Sequence, residues 1–248
     1  MTQRPRRASG AGLSITRDAE RAVEQRPERA EPFELTGPVE DYLKAIYDIE
    51  LGGNAAATND LAQRLGVAPA SVSGMVRRLS EQGLLAHEPY RGVRLTPRGR
   101  QAALRTLRRH RVIEAYLTQA LGYPWDRVHA EAERLEHAAS DELIDRMARA
   151  IGDPQVDPHG APIPTRDGGV DETEHRALLE MAVGERARVS RVRDEDPALL
   201  RYLAELDMRP GTTVRLVARA PFGGPLTVEV GDRQHAIGEA LAAQVAVE

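Results

Sequence analysis

Apolar side chains first fall into a regular pattern at Val39, Tyr42, Leu43, Ile46, Tyr47 and Ile49, the three-and-four spacing of a helix with one buried face. The Gly52-Gly53-Asn54 break ends it. The stretch TNDLAQRLGVAPASVSGMVRRLSEQGLLAHEPYRGVRLTPRG then predicts two short helices and a hairpin. The first helix covers about 59–65 and stops at Gly66. The second opens on Pro69, carries the stripe Val72, Met75, Val76 and Leu79, and stops at Gly83. Leu84 to Leu95 reads as two short strands around Pro89-Tyr90-Arg91-Gly92, and Thr96-Pro97 is an N-cap and first-turn pair that opens a long helix.

A break at Gly122-Tyr123-Pro124 precedes a further helix, expected to run to about Ile151. The Pro- and Gly-rich segment GDPQVDPHGAPIPTRDGGVDET then reads as a linker or an ordered irregular arm. After a short helix from Glu172 to Met181 the pattern turns to strands, at 187–192, 213–217, 226–230 and 244–247, with one helical insert at 197–206. Such a run of short strands predicts a small barrel-like domain. Residues 1–34 are rich in Arg, Glu and Pro and poor in large apolar side chains, so a disordered extension is expected there.

The chain has 248 residues and no cysteine, which excludes disulfides, thiolate metal sites and thiol nucleophiles. No apolar run approaches the roughly 20 residues of a membrane span, and the N-terminus lacks a signal-peptide core, so a cytoplasmic protein with no membrane partner is expected. The net charge of −4 hides an asymmetry. From Arg77 to Arg111 there are ten Arg against two acids, whereas from Val112 to Pro210 there are twelve Arg against twenty-one acids. A basic block inside an acidic chain points to contact with a polyanion.

The helix that would enter a DNA major groove must present small and polar side chains at its N-terminal turn. Ala70, Ser71, Ser73 and Gly74 do so here, with Arg77 following, and the hairpin offers Arg91 and Arg94 to phosphates or a minor groove. The bland alternative is a three-helix core with a solvated Arg face; the hairpin weighs against it.

A second constellation lies in VHAEAERLEHAASDEL, residues 128–143. At roughly 100° per residue His129, Glu133, Glu136 and His137 fall within one sector, beside an apolar stripe of Val128, Ala132, Leu135, Ala139 and Leu143. His110 and Glu114 share a face of the preceding helix. An Arg-laced salt-bridge face would explain the Glu residues but not three His, so a bound cation is favoured. Imidazole and carboxylate without sulfur suit Mn²⁺ or Fe²⁺, while affinity order lets Zn²⁺, Co²⁺ or Cd²⁺ substitute in vitro.

The motifs H110-x3-E114 and H129-x3-E133-x2-E136-H137, with PVEDYLKAIYDIE before them and PHGAPIP after, resemble the diphtheria-toxin-repressor family of metal-dependent regulators, in particular its manganese-transport-regulator branch. The resemblance covers about residues 36–248. It implies a mainly α fold with a winged helix-turn-helix DNA-binding domain at 35–108, a metal-binding and dimerisation domain at 109–151, a linker at 152–175 and an SH3-like, FeoA-like barrel at 176–248. It implies a primary metal site of Asp41, Glu133, Glu136 and His137, and an ancillary site of His110, Glu114 and His129. Some manganese-type members carry Glu where this chain has Lys44. The family's barrel donates a further ligand, for which Asp194, Glu195 and Asp196 are the candidates. A homodimer on a palindromic double-stranded DNA operator follows, repressing metal-uptake genes or activating an exporter. Two rivals stand beside this reading. One is a metal-independent winged-helix repressor with a small-molecule effector. The other is a metal-dependent enzyme, disfavoured because His-Glu-x-x-His and paired Glu-x-x-His motifs are missing.

Overall fold

Pro38 in its first turn starts helix α1, Gly37–Leu51, whose inner face buries Val39, Leu43, Ile46 and Tyr47. The computed structural model describes residues 35–88, 91–173, 175–193 and 196–248. The extension expected at 1–34 lies outside the described residues. Helix α2 spans Thr58–Leu65 and ends on Gly66 at φ 65°, the left-handed turn that glycine adopts without steric cost. Helix α3 is Pro69–Glu81, and strands β1 (Leu85–Glu88) and β2 (Gly92–Leu95) form an antiparallel hairpin with Leu85 opposite Leu95. This is the winged helix-turn-helix expected from the sequence.

Thr96 then caps α4, Pro97–Leu121, by accepting from the Gly99 amide at 3.1 Å. The 25 residues of this helix belong to two cores. Ala103, Leu104 and Leu107 close the winged-helix cluster, while Val112, Ile113, Ala115 and Leu117 enter a second one with Val128, Ala132, Ile144 and Ala148. One rigid rod thus carries the chain from the DNA-binding unit into the next.

The single helix expected from 128 to about 151 is two helices, α5 (Val128–Leu135) and α6 (Asp141–Ala150). Ser140 restarts the chain as an N-cap, accepting from the Leu143 amide at 3.2 Å, and Asp141 and Glu142 favour that helix end electrostatically. The break turns Leu135 and Leu143 outward, so the expected stripe is buried only at Val128, Ala132 and, in part, Ala139.

The helix expected from Glu172 to Met181 does not form either. Strand β3 (Arg176–Ala177) and a 3₁₀ turn (Leu178–Glu180) stand there, because β3 pairs with the last strand and Leu178 drops fully into the third core. Strands β4 (Arg186–Val192), β5 (Thr213–Arg219), β6 (Leu226–Val230), β7 (Arg233–Ile237) and β8 (Val245–Val247) complete an antiparallel sheet in the order β3-β8-β4-β5-β6-β7. Helix α7 (Pro197–Glu205) is the expected insert, and α8 (Glu239–Ala242) is a single turn. The sequence pattern did not announce β7. It is an edge strand that buries only Ile237, so it lacks apolar alternation.

The Pro- and Gly-rich segment is an ordered arm that touches all three cores. Gly160 has φ 87°, and a Cβ there would lie 2.0 Å from the Ser190 carbonyl oxygen; only glycine lets the arm approach β4 so closely. The His159 carbonyl accepts from the Val192 amide at 2.9 Å. Farther on, Ile163 enters the α4–α6 cluster and Val170 packs on the winged-helix cluster.

Candidate metal centre and nucleic-acid interface

Three elements converge on the expected ligands. Helix α1 brings Asp41, α4 brings His110 and Glu114, and α5 brings His129 and Glu133. Glu136 and His137 follow in the turn that closes α5, not on the helix face their spacing suggested.

Asp41, Glu136 and His137 each offer a ligand atom within 4.8 Å of the others. His137 Nε2 lies 2.9 Å from Asp41 Oδ1 and 3.7 Å from Glu136 Oε1. Its Nδ1 pairs with Glu40 Oε2 at 2.7 Å, which fixes the ring and turns Nε2 toward the cluster, as outer carboxylates do for metal-binding imidazoles. Glu40 is buried and also accepts from Arg109 Nη1 at 2.8 Å. Glu40 was not singled out from the sequence, whereas Arg109 was expected only as a salt-bridge partner, which it is. Burial raises the Asp41 carboxyl above its ordinary range, against the pull of His137 and Lys44.

The fourth expected member, Glu133, is not in that group, although its charge acts on the Asp41 carboxyl. It groups instead with His110 and Glu136, its Oε1 3.7 Å from His110 Nδ1. Between the two sets sits the Lys44 ammonium, 2.6 Å from Glu133 Oε1 and 2.7 Å from Glu136 Oε1. Burial opposes its charge, but Glu136 and then Glu133 hold its pKa above that of ordinary lysine.

His110, Glu114 and His129 come together as expected, again with ligand atoms within 4.8 Å. His110 Nε2 is 3.0 Å from Glu114 Oε1 and 3.1 Å from His129 Nδ1, while His110 Nδ1 meets Glu136 Oε2 in a short contact. Glu136 therefore faces both groups, one oxygen to each. Burial disfavours the imidazolium at His110, yet Glu114 and Glu136 push its pKa up to about 10. The same contacts, with those of His129 and His159, hold Glu114 well below the usual carboxylate range although burial works the other way.

A further group was not foreseen. Asp157 and His159, in the arm, join Glu114. His159 Nε2 pairs with the Trp125 carbonyl at 2.7 Å and its Nδ1 faces the buried Glu114 Oε2 at 3.8 Å. The sequence signal was the PHG motif, read only as a family mark. Asp194 and Glu195 lie outside the described residues, and Asp196 caps α7 by accepting from the Ala198 amide at 2.8 Å. Carboxylates and imidazoles converging without sulfur, with His110, Glu114, Glu136, Asp157 and His159 all buried, fit a divalent cation.

Comparison with known proteins decides the family. Residues 34–93 match the iron dependent repressor N-terminal DNA binding domain, 96–165 the iron dependent repressor metal binding and dimerisation domain, and 176–248 the FeoA domain. The iron-dependent repressor IdeR of Mycobacterium bovis is 33% identical over 227 residues, covering 87% of this chain and 98% of that protein. The chain belongs to the iron-dependent repressor family. Among solved structures, the repressor is similar to a manganese-dependent transcriptional repressor in complex with manganese, with a TM-score of 0.79 and 40% identity over 85% of this chain and 99% of that one. ScaR with bound Cd²⁺ follows, with a TM-score of 0.75 and 31% identity over 85% of this chain and 98% of that one. The repressor is thus a metal-dependent transcriptional regulator with a DNA-binding and a dimerisation domain, and the enzyme reading and the metal-independent repressor reading fall away. No helix among its described residues is long and apolar enough to cross a membrane.

Helix α3 leaves Ala70, Ser71, Ser73, Gly74 and Arg77 exposed to solvent while it buries Val72 and Leu79. Ser73 bonds back to the Pro69 carbonyl at 3.1 Å. Each arginine expected to meet phosphate has an acidic neighbour: Arg77 with Glu81 at 3.0 Å, and Arg91 and Arg94 with Glu88 at 3.3 and 2.7 Å. The exposed Arg77–Glu81 pair is weak, about 0–1 kcal/mol, whereas Glu88 is half-buried beneath its two arginines.

Proposed function

We propose that the repressor senses Mn²⁺, with Fe²⁺ as the alternative, and couples it to DNA binding through a site that joins α1 to the end of α5. Asp41, Glu133, Glu136 and His137 are the primary ligands in this reading; His110, Glu114 and His129 form the ancillary set, which Asp157 and His159 extend. The observation that carries it is the approach of Asp41, on the DNA-binding unit, to Glu136 and His137 on the dimerisation unit, 2.9 Å from the imidazole. The donor set supports the choice of ion: carboxylate oxygens with one imidazole and no thiolate suit Mn²⁺ and Fe²⁺, though Zn²⁺, Co²⁺ or Cd²⁺ could take the site in vitro.

A bound ion would supply two positive charges to this carboxylate-rich cluster. The residues do the rest. Glu40 orients His137, Glu136 faces both ligand groups, and α4 transmits the position of the winged helix to the dimer frame. A swing from mostly released to mostly DNA-bound requires about 5.5 kcal/mol of differential binding. On DNA, Ala70, Ser71, Ser73 and Gly74 would face base edges and Arg77, Arg91 and Arg94 the phosphates. The dimer would read a palindrome with half-sites about one helical turn apart, or a multiple of it. We place this activity in the cytoplasm, at promoters of metal-uptake genes.

The test is fluorescence anisotropy with fragments of metal-transporter promoters at fixed salt, comparing EDTA with Mn²⁺, anaerobic Fe²⁺ and Zn²⁺. Binding should appear with Mn²⁺ or Fe²⁺, vanish with EDTA, and be lost in Asp41→Ala. Metal-dependent binding that survives Asp41→Ala would refute the bridge.

A further inference from the structure

Of the 34 basic side chains in the chain, 33 are arginine. The one lysine, Lys44, lies inside the ligand cluster. Its ammonium contacts Glu133 Oε1 and Glu136 Oε1 at 2.6 and 2.7 Å, and its side chain is only 13% exposed. Asp41 and Lys44 stand three apart on α1, hence on one face of it, and that face meets the end of α5. An ammonium is a compact point charge, and here it sits between the two carboxylates at 2.6 and 2.7 Å.

Lys44 therefore makes, with one charge, the same α1-to-α5 tie that the metal reading assigns to a divalent ion. It also holds two of the carboxylate oxygens such an ion needs. We propose that Lys44 is a tethered competitor at the primary site, so that metal binds only by drawing Glu133 and Glu136 away from the ammonium, and that this competition sets the metal concentration at which the repressor responds. The inference rests on the metal-sensing reading of the same residues and adds the control of its threshold. Two physical effects act in the same direction. The lysine lowers the availability of two ligands, and its charge, a few ångströms from the bound position, repels a dication. A neutral side chain of similar reach removes both.

The experiment is calorimetric titration of the full chain with Mn²⁺ after chelator treatment, comparing wild type, Lys44→Gln and Lys44→Arg, alongside thermal unfolding of each in EDTA. Lys44→Gln should bind Mn²⁺ at least ten-fold more tightly than wild type and melt at a lower temperature in EDTA, because Glu133 and Glu136 lose their counter-charge. Lys44→Arg keeps the charge and should bind no more tightly than wild type. Equal or weaker binding by Lys44→Gln, with wild type binding normally, would overturn the competitor role and leave the sensor reading intact. Ten-fold tighter binding by Lys44→Arg would overturn it as well, and serves as the test should the neutral variant fail to fold. Binding by Lys44→Gln but not by wild type would support the inference in its strongest form. No binding by any of the three would overturn both readings.

Discussion

Glu40 sits behind His137, and one carboxylate serves two cations. Oε2 takes the His137 Nδ1 contact at 2.7 Å, partly exposed, and Oε1 takes the buried Arg109 at 2.8 Å. Truncation to alanine leaves the buried guanidinium with Asp141 as its remaining carboxylate, at 3.3 Å, and frees the imidazole to rotate. In chelated protein, Glu40→Ala should lose about 1.5–3 kcal/mol of stability in urea, the usual cost of losing a hydrogen bond to a charged group. It should also weaken Mn²⁺ binding by roughly 10- to 100-fold, the range for losing an orienting carboxylate behind a ligating histidine. A variant with full metal affinity would show that the ring is held by other contacts. Glu40 precedes Asp41 in the quoted motif, yet its role was not legible in the sequence, because its partners lie 69 and 97 residues away. The same holds for Lys44, whose carboxylates are 89 and 92 residues distant. His110 with Glu114 and His129 with Glu133 were legible because helical i,i+4 spacing places such pairs together before any tertiary contact is known.

At the scale of elements, the caps decided what could be read. Pro69 and Thr96-Pro97 mark the starts of α3 and α4, and both helices begin where those residues predict, while α1 starts at Gly37, just before the pattern read from Val39. Ser140 with Asp141 and Glu142 carries the same kind of signal for α6, but the run of His and Glu before it suggested an unbroken helix. The cost of that misreading falls on the site: Glu136 and His137 lie in a turn, so their approach to Asp41 depends on where α6 restarts. Ser140→Ala should lower stability by about 1 kcal/mol through loss of the cap bond to Leu143. The expected helix at Glu172–Met181 fails for a different reason, since pairing with β8 and burial of Leu178 outweigh a weak local helical pattern. In the arm, Gly160→Ala would set a methyl against the Ser190 carbonyl at a φ that alanine resists. Hydrogen exchange should then report faster opening of the 157–163 segment and of Val192, whose amide bonds to His159. Unchanged protection there would mean the arm does not depend on this approach.

Over the whole molecule, α4 and the arm are the two mechanical links between the units. The arm ends in a clasp on the winged helix: the Tyr47 hydroxyl donates to Glu172 at 2.6 Å and Arg100 pairs with the same carboxylate. The Tyr47 bond, with help from Arg100, holds Glu172 below its ordinary value of 4.5. A depressed carboxylate stabilises the fold above its unfolded pKa, and that contribution disappears as pH falls through the lowered value. The stability gap between wild type and Glu172→Gln should therefore be present at pH 6 and shrink as the medium is acidified below 4.5. A gap independent of pH would place the clasp's strength elsewhere. Both links also bear on the last expectation, which concerns metal and DNA together. If α1, α4 and the α5 turn move as one body when the ligands are gathered, metal and operator bind the same arrangement, and each must strengthen the other by an equal factor. A metal that raises operator affinity about 100-fold must be held about 100-fold more tightly on the operator, within the span usual for coupled sites. Calorimetric Mn²⁺ titration with and without a saturating operator duplex, at one salt concentration, measures this directly. Tighter Mn²⁺ binding on the duplex is the outcome this coupling requires. A Mn²⁺ affinity unmoved by the duplex would mean that metal and DNA do not share it, and that the contact between Asp41 and His137 serves stability alone.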